Sequence, residues 1–170
     1  MLSPKIAKLI NQQIKLELFS SYSYLAISGY FENEDFFGFA HFFRLQAQEE
    51  AGHAMKFYEY MIKRSTLPIL ESVDAPKLKF KDVTEAFALG LDHERKVSTE
   101  INKLMDQSIT ESDHGTRVML NWFVTEQLEE ESLFESSLKR IKMVQSDPRG
   151  LLQLDREFGA RQPDSASKEE

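Results

Sequence analysis

Cysteine is absent from this chain. That excludes disulfides, thiolate metal sites and rubredoxin-type iron centres. No basic segment leads into an apolar run at the start, and no long uncharged apolar run follows. Neither a leader nor a membrane partner is expected, and the expected location is the cytoplasm. Positive charge is in deficit too: the net charge of −7 argues against a nucleic-acid partner. Glycine and proline are scarce, 7 and 5 in 170 residues, which leaves room for long helices. There is no short-period repeat and no low-complexity block. The length suits one domain with its own core, expected over 1–160, with a polar tail at 161–170.

Helical signals fill the chain. Ser3-Pro4 pairs an N-cap residue with proline at the first helical position. Apolar residues then recur at helix period, from Ile6, Leu9 and Ile10 to Phe31, predicting a first helix over Pro4 to Asn33. Asp35 is the expected cap of a second helix ending near Lys63, in which Gly38 and Gly52 could mark close helix contacts. Arg64 to Lys81 holds Pro68 and Pro76 and lacks periodicity. Extended, it reaches roughly 55 Å, more than the roughly 45 Å of a thirty-residue helix. It can therefore run the length of a bundle and leave the second and third helices parallel. Asp82-Val83-Thr84-Glu85 resembles a capping box for a third helix ending near Ile109. Ser112 or Asp113 can cap a fourth helix ending near Val144, and Asp147-Pro148 opens a short fifth one stopped by Gly159.

The core lines of these helices are interrupted by polar groups. Heptad steps read Phe36, Phe43, Glu50, Phe57 in the second helix and Ile10, Glu17, Tyr24, Phe31 in the first. In the third they read Phe87, Glu94, Ile101. In the fourth they read Leu120, Gln127, Phe134, Ile141, with Glu130 one turn after Gln127. Four interruptions at similar depth would meet at mid-height in a bundle. Glu50-x-x-His53 adds an imidazole on the face of a carboxylate. Four buried acids left unpaired would raise one another's pKa and weaken the fold. Two divalent cations would neutralise them. Carboxylate-rich ligation with one imidazole suits iron or manganese better than structural zinc, and Gln127 offers a neutral oxygen beside one ion.

On these residues the chain resembles the ferritins, and most the haem-free ferritins of bacteria and archaea. The resemblance covers nearly the whole chain. It rests on Glu17, Glu49-Glu50-x-x-His53, Glu94 and Glu126-Gln127-x-Glu129-Glu130, with Trp122 just upstream. It implies an all-α, ferritin-like four-helix bundle with a long crossover between helices two and three and a short fifth helix. It also implies a ferroxidase centre acting on ferrous iron with O2. Glu17, Glu50 and His53 would hold one iron and Glu94 and Glu130 the second, with Gln127 beside it and Glu50 bridging. A third iron site would be made by Glu49, Glu126, Glu129 and Glu130. Tyr24 matches a tyrosine beside the centre, thought to supply an electron or a hydrogen bond. The family further implies a hollow shell of twenty-four identical subunits.

Departures bound the resemblance. Bacterioferritins carry a second Glu-x-x-His where this chain has Gln127 and Glu130, and a haem-ligating Met where it has Ala51, so no haem is expected. Two other functions fit the same bundle: a non-catalytic storage cage, and a di-iron or di-manganese oxidase or peroxidase acting on a small molecule. His41, His93 and His114 are expected at the surface, and Glu131 and Glu135 in solvent. Glu111, Asp113 and His114 fall where the family has its three-fold pores.

Overall fold

The computed structural model describes residues 1–163, so most of the expected polar tail lies outside the described residues. Among the described residues there are five helices: α1 (Pro4–Asn33), α2 (Phe37–Lys63), α3 (Val83–Thr110), α4 (His114–Val144) and α5 (Pro148–Gly159). Among the described residues there is no strand, and no helix is long and apolar enough to cross a membrane. The architecture is the expected four-helix bundle with a short fifth helix.

Four helix starts follow their local sequence. Ser3 accepts from the Ile6 amide, Asp82 from Glu85, Asp113 from Thr116 and Asp147 from Arg149. The start of α2 does not. Asp35 has φ 60° and caps nothing; Phe36 takes the cap position without a side-chain bond. The Phe39 amide is instead satisfied from outside, by Asp155 Oδ1 of α5 at 2.8 Å. A carboxylate 116 residues away does the work of a local cap. Asp35, in turn, serves the end of α1. It holds the left-handed conformation while Phe36 N–H returns to Phe31 C=O, closing the helix in a Schellman motif. Ser65 and Ser112 close α2 and α3 in the same way.

The connection 64–82 is irregular and crosses the length of the bundle. It leaves near the start of α1, where Leu2 N–H donates to Thr66 Oγ1 and Ile69 N–H to Asn11 Oδ1. It finishes beside the end of α1, where Phe80 packs 5.1 Å from Tyr30. Early α3 therefore meets early α2, with Phe87 5.5 Å from Phe39, and α2 and α3 run parallel. Gly38 is needed where α5 crosses α2: a Cβ there would lie 1.7 Å from the Asp155 carbonyl oxygen. Gly52, expected to mark a similar contact, has open space around it.

The core is split in two. One cluster gathers Phe31, Phe39, Phe43, Phe87, Phe134 and Phe158 with their neighbours. The other gathers Ile6, Ile10, Ile14, Met61, Ile101 and Leu104 with theirs. Between them lies a polar layer.

Candidate metal centre

Each long helix contributes its interrupting residue to that layer. Glu17 and Glu94 have no exposed surface, and none of Glu50, Glu130, Gln127 and His53 exceeds 6% exposure. Ligand atoms of Glu17, Glu50 and His53 lie within 4.8 Å of one another, on α1 and α2. Glu50 and His53 share a helix face, with His53 Nδ1 3.7 Å from Glu50 Oε2. Trp122 and Phe123 of α4 press edge-on against the imidazole, at 5.4 and 5.9 Å. Glu94 and Glu130 stand across from this trio. Gln127 Nε2 donates to Glu94 Oε2 at 3.1 Å, and the Tyr24 hydroxyl donates to Glu94 Oε1. Gln13 Nε2 holds Glu17 Oε1 at 2.8 Å.

The acids are short of donors. Among the described residues, no hydrogen-bond donor reaches either oxygen of Glu50 or Oε2 of Glu17. Burying a carboxylate oxygen without a partner costs several kcal/mol unless the group is protonated or meets a cation. The carboxyls respond. Burial pushes Glu17 well above its usual range, and the charge of Glu50 adds to this. Glu50 is raised by burial and then by Glu94. Glu94 is raised to about 7, mainly by burial and against the Tyr24 hydrogen bond. Glu130 is raised to about 8 by burial and by the charges of Glu94 and Glu49. Such a set keeps protons near neutral pH, or gives them up to a divalent cation. All the donors are hard oxygens but one imidazole, a set suited to iron or manganese.

A second group of acids flanks the layer. Glu49 and Glu126 are half-buried, and His53 Nε2 lies 3.8 Å from Glu126 Oε1. Gln46, wholly buried, donates through one amide nitrogen to Glu49 Oε2 at 2.9 Å and to Glu130 Oε2 at 3.1 Å. Glu129 is exposed.

The family model of the ferritin-like domain matches residues 7–144. The chain belongs to the ferritin family. It is 35% identical over 161 residues to the bacterial non-heme ferritin of Staphylococcus aureus, covering 95% of this chain and 97% of that one. A probable bacterial non-heme ferritin-like protein of Haemophilus influenzae is 33% identical over 159 residues, or 94% and 96% of the two chains. The open-pore ferritin of the archaeon Archaeoglobus fulgidus superposes with a TM-score of 0.93 at 33% identity, covering 95% and 99%.

In this ferritin chain several peripheral expectations are overturned. His93 is not a surface residue. Its ring packs between Phe19 and Tyr24 at 5.4 and 5.8 Å, and burial, with Lys96 nearby, lowers its pKa to about 4. His41 is held by Arg161, whose carbonyl accepts from Nε2 at 2.9 Å. His114 is exposed, as expected. Glu131 is half-buried and accepts from Ser98, whereas Glu135 lies in solvent as expected, its exposed side chain paired with Arg95 at 2.9 Å. Asp113 is tied to Arg64 by two bonds of 2.8 and 2.9 Å while it caps α4, and these bonds lower its pKa to about 2. Its carboxylate is engaged in structure.

Three polar partners in this ferritin escaped the sequence reading: Gln13, Gln46 and Arg161. A signal existed for two. Heptad steps of Ile6, Gln13, Ser20, Ile27 and of Phe39, Gln46, His53, Tyr60 carry polar breaks at the same depth as Glu17 and Glu50.

Proposed function

We propose that the chain is the subunit of an iron-storing ferritin that oxidises ferrous iron with O2. Ferrous iron is the substrate. One ion binds Glu17, Glu50 and His53. A second shares Glu50 and takes Glu94 and Glu130, with Gln127 beside it. Glu49, Glu126 and Glu130 form a weaker third position, to which Glu129 adds a solvent-facing oxygen. The observation that carries the reading is the donor-poor acid layer: buried carboxylates with unsatisfied oxygens, walled by core on both sides.

Two ferrous ions matched to four acids leave the layer neutral, and binding displaces the protons those acids hold. Each ion gives one electron, so a pair reduces O2 by two electrons to the peroxide level, with two protons taken up. The chain's part is to hold ions without closing around them. Tyr24 and Gln127 fix the Glu94 carboxylate and Gln13 fixes that of Glu17, while the two aromatic neighbours fix the His53 ring. A site that does not close around its ions leaves them positions for water and hydroxide, so oxidised iron can leave for a mineral in the lumen of a cytoplasmic shell of twenty-four copies. No haem takes part; a Soret band in pure protein would refute that.

Glu17→Ala and Glu50→Ala are expected to slow rapid O2-dependent iron oxidation by more than about 100-fold, the upper end for merely supporting residues. The shell should survive, eluting near half a megadalton at 19.7 kDa per chain, or roughly twenty-four subunits. Undiminished rapid oxidation in both variants would overturn this assignment of the site; equally slow oxidation in wild type and both variants would leave a non-catalytic cage. A dimer on gel filtration would favour a small-molecule oxidase instead.

A further inference from the structure

Arg161 lies just past α5 and reaches back to the flanking acids. Its Nη1 donates to Gln46 Oε1 at 2.7 Å, and its Nη2 is 3.8 Å from Glu49 Oε2. The guanidinium lies 5.1 Å over the Phe42 ring. An arginine only donates, so the Gln46 oxygen must face it. The amide nitrogen is then turned toward Glu49 and Glu130, as observed. A metal ion between those acids would require the opposite: an oxygen, not an N–H, and no second cation nearby. The backbone of Arg161 is pinned independently. Its amide bonds to the Phe158 carbonyl, and its carbonyl accepts from His41. The side chain can therefore swing while the chain stays in place.

We propose that Arg161, acting through Gln46, is a positioning residue that stands in for a cation at the third position. It occupies the acids electrostatically when no ion is bound and must withdraw, with the Gln46 amide turning over, for a divalent cation to bind there. This rests on the third position being a metal site. The pair weakens binding at that position selectively, so iron there stays exchangeable. A dication can displace the pair because the guanidinium makes only one long contact with an acid, 3.8 Å to Glu49, and reaches Glu130 through the Gln46 amide.

The test is anaerobic calorimetric titration of ferrous iron into the assembled full-length protein, wild type against Arg161→Met and Arg161→Lys. Methionine keeps the packing over Phe42 and both backbone bonds. The third class of sites should tighten by about tenfold or more in Arg161→Met, within the usual range of coupling between sites, with the first two unchanged. Arg161→Lys, which keeps the charge but not the fork, should tighten it less. A third ion binding equally well in wild type and both variants would overturn the proposal and leave the third site standing. Two ions per subunit in every protein would overturn both, while the paired centre survived. A third ion seen only in the variants would support the proposal most strongly. Ferrous-soaked wild-type crystals give a second readout. Arg161 should be off Gln46 wherever a third ion is bound; an intact contact beside that ion would refute the exchange.

Discussion

The two halves of the bundle differ in what fills them. On the side where α2 begins, rings from five helices interlock. Phe43 sits 4.8 Å from Phe87, and Phe158 of α5 sits 5.1 Å from Phe42. On the side where α2 ends, the core is mostly branched aliphatic chains, with one stacked ring pair, Phe57 and Phe123, at 4.0 Å. The aromatic half includes a fifth helix; the aliphatic half does not. The lesson lies in the layer between them. Burying four acids is costly, and the two apolar halves offset it from either side. Each half also sends an aromatic side chain to the layer: the Tyr24 hydroxyl to Glu94 from one side, the Phe123 ring to His53 from the other. The halves carry the apolar burial, and the layer carries the titratable groups.

The comparison can be broken by cutting one half at a time. Phe87→Ala should cost about 3–5 kcal/mol, a large ring removed from a dense core. Because Phe87 touches Phe158 at 5.5 Å, amide exchange in α5 should also accelerate. Leu104→Ala in the other half should cost about 2–4 kcal/mol and leave exchange in α5 unchanged. Equal acceleration of α5 in both variants would show that the halves are one unit.

The layer itself is sharpened by pH. Glu94 and Glu130 titrate near 7 and 8 when folded, and near the ordinary carboxylate value of 4.5 when unfolded. Between those limits the folded chain keeps protons that the unfolded chain has released, so rising pH favours unfolding. Thermal melting of the metal-free protein should therefore be highest near pH 5 and fall toward pH 8, by an amount on the order of a few kcal/mol. Saturating ferrous ion without O2 should remove or reverse that slope, since metal binding strengthens as the acids lose their protons. A flat metal-free profile would contradict the buried, proton-holding layer.

A smaller effect tests the seam between α2 and α5. Gly38→Ala forces a methyl group into the Asp155 carbonyl and should cost about 1–3 kcal/mol. Its signature is faster amide exchange at Phe39, whose bond to Asp155 must lengthen, with no change near Leu104. The smallest expected effect is that of Tyr24→Phe. It removes the hydroxyl that bonds Glu94 and, at 3.2 Å, the Gly90 carbonyl, for about 1 kcal/mol of stability. Loss of the bond to Glu94 should raise the pKa of that acid. Iron oxidation at a fixed pH near 7 should then slow modestly, because more of Glu94 stays protonated; an unchanged pH profile would sink that link.

Much of this was legible in the chain. Capping residues and apolar periodicity fixed four helix starts, because those signals act within one turn. Heptad lines exposed Glu17, Glu50, Glu94 and Gln127, with Glu130 one turn on, because a polar group in an apolar line is conspicuous whatever surrounds it. Asp35 misled for a local reason: the same residue types that cap a helix also tolerate the left-handed turn that ends one. His93 misled for a tertiary one. It steps off the acid line by a single residue, and only the packing of α1 against α3 encloses its ring.

By itself the sequence determined the helices, their polar breaks and the charge that a metal pair would balance, since each depends on spacing along one strand of chain. The tertiary structure decided which groups answer those breaks from a distance: Asp155 capping α2, Arg161 reaching Gln46, and the two apolar halves closing over the acids. The first two join residues more than a hundred positions apart, and no periodicity within a helix encodes any of the three. The first two exist because α5 folds back onto α2, closely enough at Gly38 to leave no room for a Cβ.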